Sequence, residues 1–128
     1  MFDYSDALHQ VIADVASTVP ELRHVQPDRL WTAVAQTRAP GVHGVYASVL
    51  PLRFKDGSRE TVRRGVRYHR PPLFDGEVEI LYILTFYLPR FANLSFDKKL
   101  KTIFNELYHL SPEFNGDIRR FPGRKYAH

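Results

Sequence analysis

The residues best suited to chemistry lie side by side, in Asn105-Glu106-Leu107-Tyr108-His109. In the related pattern His-Glu-x-x-His, two imidazoles four residues apart share one helical face and can grip a single zinc ion. The Glu beside the first imidazole is turned by about 100° around the helix axis, which lets it act as general base on a metal-bound water. Here Glu106 and His109 keep those places, and Asn105 stands where the first imidazole would be. An amide oxygen is a neutral, weak donor to zinc, so metal affinity is expected to fall steeply. Taken alone, Asn-Glu-x-x-His is a weak signal, because a Glu and a His three apart are common neighbours on a helix surface.

Such residues act together only if a helix presents them. Ser95 is a suitable N-cap, and Asp97 in the first turn suits the positive end of the helix dipole. Leu100, Ile103, Phe104, Leu107 and Leu110 then recur at helical spacing, so a helix is expected from Ser95 to about Leu110, ended by Pro112. Asn115-Gly116 reads as a turn. At the other end, Leu8, Val11, Ile12, Val15 and Val19 predict an amphipathic helix over Tyr4 to Val19, with Ser5 as its cap and Pro20 as its stop.

Between these helices the pattern changes to period two. Leu30 to Gln36 alternates as a first strand, and Val45 to Phe54 as a second, with Pro51 placing the second on an edge or at a bulge. Asp56-Gly57 suits a hairpin turn into a returning strand, Val62 to His69. Asp75-Gly76 precedes Glu77 to Leu88, whose core Ile80 to Leu88 suits a buried strand, with a buried helix as the competing reading. The expected fold class is α+β: an N-terminal helix, an antiparallel or mixed sheet of about four strands, and a C-terminal helix packed on it.

With 128 residues, 44% of them hydrophobic and 25% charged, the chain has the composition of one globular domain spanning 1–128. The absence of cysteine excludes disulfides, thiolate metal sites and a cysteine nucleophile, and fits a reducing compartment. Asp3 and Asp6 stand where a secretory leader would carry positive charge, and no run approaches the roughly 20 apolar residues of a membrane span. A cytoplasmic protein without membrane contact is therefore expected. Neither a Gly-rich phosphate loop nor a Gly-x-Ser-x-Gly elbow occurs, which argues against nucleotide-dependent and serine-hydrolase chemistry.

The net charge is +4, and the excess is clustered. Arg53 to Arg70 contains Arg53, Lys55, Arg59, Arg63, Arg64, Arg67 and Arg70 against Asp56 and Glu60. Asp117 to His128 contains Arg119, Arg120, Arg124 and Lys125 against Asp117. Clusters of this kind attract phosphate backbones or acidic peptides, although a solvated strand face and a basic tail would look the same.

The wider sequence around the helix carries a resemblance. Leu81 to Phe91, then Phe104-Asn105-Glu106-Leu107-Tyr108-His109-Leu110-Ser111-Pro112, then Gly116-Asp117-Ile118-Arg119-Arg120-Phe121 and Tyr126-Ala127-His128, resemble a metallopeptidase family of bacteria and phages. That family carries His-Glu-Leu-Tyr-His followed by Ile-Ser-Pro, a Gly-Asp-(Ile/Leu)-Arg-Arg-Phe segment and a Tyr-Ala-His. The likeness continues more loosely through Pro51-Leu52-Arg53-Phe54 and Asp56-Gly57, and a more distant one runs to SprT-type minimal zincins. The resemblance implies zinc as cofactor, peptide or protein as substrate, Glu106 as general base, His109 as a metal ligand and His128 as a further ligand. Asn105 falls on the missing first ligand, so an impaired or inactive member is expected. The family pattern continues past His128, which makes a truncated C-terminus the expectation.

Other candidate ligands carry less. The longer metzincin pattern fails at Pro112 and Asn115. Asp117 is expected to cap or to pair with Arg119 or Arg120, and Glu113 to be solvated. His9 and His24 read as surface residues, His43 as a loop residue and His69 as the end of a basic strand. Tyr126 could polarise a carbonyl or simply pack. The alternative to a peptidase is a non-enzymatic basic module that binds nucleic acid or an acidic protein through Arg63, Arg64, Arg67, Arg119, Arg120 and Arg124.

Overall fold

The computed structural model describes residues 3–36 and 46–120. Helix α1 (Tyr4–Thr18) buries Leu8, Ile12 and Ala16, a stripe with the four-residue spacing of one helical face. Its cap is Asp3 rather than the expected Ser5. The Asp3 Oδ1 accepts from the backbone N–H groups of Ser5 at 3.0 Å and Asp6 at 3.2 Å. A carboxylate brings a full negative charge to the positive end of the helix, while Ser5 lies already inside the first turn and donates its hydroxyl to Asp3 at 2.7 Å. Tight turns at Pro20–Leu22 and Pro27–Arg29 then carry the chain back.

The described strands are β1 (Leu30–Gln36), β2 (Ala47–Pro51), β3 (Glu60–Arg63), β4 (Val66–His69), β5 (Leu73–Asp75), β6 (Val78–Ile80) and β7 (Tyr82–Leu88). They form a mixed sheet of order β1-β7-β2 and two separate hairpins, β3-β4 and β5-β6. Strand β7 is central, parallel to β1 and antiparallel to β2. Tyr82, Leu84 and Phe86 alternate into the core and are fully buried, so the apolar run resolves as a strand with period two. Pro51 closes β2, which has β7 as its neighbour and lies at an edge, as a residue without an N–H requires.

Helix α2 (Phe96–Tyr108) starts where its cap predicts, with Ser95 Oγ accepting from Lys98 N–H at 3.3 Å. Ile103 and Leu107 of α2 join Leu8, Ile12 and Ala16 of α1, and Tyr82, Leu84 and Phe86 of β7, in one core cluster. Both helices therefore cover the same face of the sheet. Trp31 and Leu50, each paired with Ile83, stand on the other face and stay exposed. The α+β architecture matches the one expected. No helix among the described residues is long and apolar enough to cross a membrane.

The segment expected to form one strand over Val62 to His69 folds back on itself instead. Arg64 (φ 52°) and Gly65 (φ 77°) both take left-handed conformations and close the β3-β4 hairpin. This is the backbone of the tightest hairpin turn, which gives a glycine at its second central position a direct role. Asp56 (φ 58°) and Gly57 (φ 83°) also take left-handed conformations, in a tight turn at Lys55–Gly57, but the strands on either side of it, β2 and β3, do not pair. Likewise Glu77 to Leu88 divides at Leu81, whose N–H donates to Arg29 O at 2.8 Å and whose carbonyl accepts from Leu52 N–H at 3.0 Å.

After α2, residues 110–118 form a strap held by Tyr82. The Tyr82 hydroxyl donates to Asp117 O at 2.6 Å and accepts from Gly116 N–H at 3.0 Å, and Phe114 packs its ring on Tyr82 at 4.9 Å between centroids. Arg53 N–H donates to Gly116 O at 2.9 Å, and a Cβ on Gly116 (φ 90°) would run into the Arg53 side chain. Desolvation opposes ionisation of Asp117, but Arg120 and the N–H groups of Asp56 and Ile118 outweigh it and hold the carboxyl below its usual range. Tyr82→Phe keeps the ring but leaves the buried Gly116 N–H without its acceptor and leaves Asp117 O with Ser111 N–H as its remaining donor, so urea denaturation should show a loss of about 1–3 kcal/mol.

Candidate active site

The amphipathic pattern that buries Ile103 and Leu107 fixes the rotation of α2, and with it the direction of the motif. Asn105 faces solvent, while Glu106 and His109 lie half-buried at the edge of the packed face. His109 is the residue at which α2 ends. Its N–H is shared between Asn105 O and Glu106 O, each at 3.2 Å, and its carbonyl accepts from Arg119 N–H at 2.6 Å. Both sides of the His109 backbone are thus pinned, one by the helix and one by the returning chain.

Glu106 differs from the other buried carboxylates. Burial also opposes ionisation of Glu79, but Arg53 (2.7 Å) and Arg59 (3.0 Å) bind it and keep its carboxyl below the usual range. Asp117 has Arg120 at 2.8 Å. Glu106 has no ion pair and no hydrogen bond to its side chain among the described residues. Burial alone pushes its carboxyl up to about 7. A carboxyl with that value is close to half-ionised at neutral pH and can both take and return a proton.

The turn after α1 brings His24 to the last turn of α2, a placement that its surface reading did not anticipate. Burial, and then the positive charge of Arg119, push the His24 ring below its usual value, while the carbonyls of Leu107 and Glu21 act in the opposite direction. Its Nε2 is buried without a hydrogen-bond partner among the described residues. No local pattern marks this residue, because the neighbour that matters is more than 80 positions away. His9 is likewise part-buried, with Nδ1 at 2.8 Å from Thr32 Oγ1.

The remaining candidates separate cleanly. Asp117 pairs with Arg120, as one of its expected partners, and Glu113 is exposed. Arg119 lies over the Tyr108 ring at 4.1 Å and donates from Nε to Tyr108 O at 2.6 Å. His43, Arg124, Tyr126 and His128 lie outside the described residues. Among the described residues no three His, Asp or Glu side chains are grouped to hold one metal ion. The donors that the motif itself supplies are one imidazole and one neutral amide, a set that does not suit zinc, which favours several nitrogen or sulfur ligands.

Comparison with protein-family models, with curated proteins and with solved structures finds no match to this chain.

Because Glu106 is harder to ionise when folded than when unfolded, its ionisation costs stability once the pH rises above the unfolded value of about 4.5 and the cost is fully present above about 7. Glu106→Gln should therefore raise Tm by about 3 °C at alkaline pH and leave it unchanged at acid pH, as read by thermal melts across the range.

Proposed function

We propose that this chain is a zincin-like peptide hydrolase scaffold whose activity is impaired at Asn105. The observation that supports it most is the Glu106 carboxyl, half-buried without a counter-charge among the described residues, on the last turn of α2 and one turn from His109. Burying a carboxyl without a partner costs stability, and carboxyls shifted in this way cluster at functional sites. The role proposed for Glu106 is to take a proton from the attacking water and pass it to the leaving amine of a peptide bond. His109 and His128 are the proposed zinc ligands, and Asn105 marks the ligand that is missing. Peptide or protein is the proposed substrate class, and the cytoplasm the proposed compartment.

Asn105 is exposed, so an imidazole there needs no rearrangement of the core. After dialysis against zinc, the natural chain should retain well under one equivalent and Asn105→His about one, as measured by elemental analysis. Adding Glu106→Gln to the histidine variant should leave the zinc content unchanged and abolish cleavage of an unfolded protein substrate. A histidine variant that takes up no zinc would overturn the proposal.

A second reading, binding of nucleic acid, is favoured by one observation. Arg64, at the tip of the β3-β4 hairpin, makes no ion pair or hydrogen bond from its side chain among the described residues.

A further inference from the structure

We infer that the β3-β4 hairpin is a ribbon that enters the major groove of double-stranded DNA; the inference rests on the nucleic-acid reading and gives it a surface and a ligand form. Every residue of β4 is exposed, and so is every residue of β3 except Thr61. The exposed apolar side chains lie on both faces: pairing puts Val62 with Arg67 on one, and Val66 with Arg63 and Tyr68 with Thr61 on the other. A two-stranded element that packs neither face against the core is an arm with two contact surfaces.

The base of this arm is fixed and its end is not. Arg70 N–H donates to Arg59 O at 2.9 Å, and Arg59 is bound to Glu79. Arg70 also donates to Pro51 O at 2.7 Å and stacks on Phe54 at 4.2 Å. Those two arginines are committed to the fold. Towards the tip, Arg63 lies 5.9 Å from the Phe54 ring, Arg64 is exposed, and Arg67 pairs, among the described residues, with the exposed Glu60 alone at 3.0 Å. An ion pair between exposed partners is worth little, so Arg67 can turn to a phosphate at small cost.

The dimensions suit B-form DNA. Four-residue strands extend about 13 Å, enough to reach the floor of a groove about 8.5 Å deep, and a two-stranded ribbon fits its width of about 12 Å. Exposed valines on both faces are suited to thymine methyl groups, and the arginines to phosphates and guanine edges. The major groove of A-form RNA is too deep and narrow for such an arm. Arg119 and Arg120 are not part of this surface, being engaged by Tyr108 and Asp117.

The test is fluorescence anisotropy of the full chain with a short DNA duplex, the same sequence as duplex RNA, the single strand, and a polyglutamate peptide. Duplex DNA should bind best, with log K falling against log salt at a slope of about −3. The triple variant Arg63→Ala, Arg64→Ala, Arg67→Ala should lose at least about tenfold in affinity and most of that slope, at unchanged Tm. Glu60→Ala should bind a few-fold tighter, because it removes a competing carboxylate. Equal or better binding of the RNA duplex or the single strand overturns the groove assignment and leaves nucleic-acid binding standing. Absence of salt-dependent binding to any nucleic acid, or tighter binding of polyglutamate, overturns both. An unaltered triple variant overturns the ribbon.

Discussion

Tyr82 is placed where three parts of the structure meet. Its backbone belongs to the central strand, its ring to the core shared by both helices, and its hydroxyl to the strap that follows α2. Because the phenol both donates and accepts, it satisfies two backbone groups that water cannot reach, and burial holds its own proton in place up to about 12. The strap in turn sets Asp117, which caps the Lys55–Gly57 turn through Asp56 and binds Arg120. It also returns Arg119 to the end of α2, where the Arg119 N–H holds the His109 carbonyl. The position of the motif histidine therefore depends on a hydrogen-bonded aromatic that sits on a different element, 27 residues before it in the chain.

Around this frame the buried carboxylates divide into two kinds. Glu79 and Asp117 are surrounded by arginine, so their burial ties the hairpins and the strap to the body. Glu106 is also desolvated, with no such partner among the described residues. The contrast separates groups that hold the fold from a group held by it. A carboxyl raised toward neutrality can take and return a proton, and burial in the packing of α2 is what raises this one.

The arginines divide in a similar way. Arg53, Arg59, Arg70, Arg119 and Arg120 spend their charge on carboxylates, carbonyls or rings inside the structure. Arg64 has no such use among the described residues, and Arg67 has only a solvent-exposed one. Net charge is thus a poor guide to where this protein can meet an anion. The β3-β4 hairpin is the place where clustered charge, exposed apolar side chains and a projecting backbone coincide.

Local rules made much of the frame legible. Helical spacing marked both helices, the Ser95 cap marked the start of α2, alternation marked β1, and Pro51 marked an edge strand, because each signal depends on neighbours within a turn or a pleat. The motif residues could be named from their spacing, and so could their separate directions around the helix axis. The structure showed that Val62 to His69 doubles back at Arg64-Gly65, where both residues take left-handed conformations that alternation along the segment does not reveal. Tertiary structure alone brought His24 to α2, tied Arg119 and Arg120 to the strap, and left Glu106 without a counter-charge among the described residues. Burial and charge pairing are set by residues distant in the chain, and no window along a single sequence contains them.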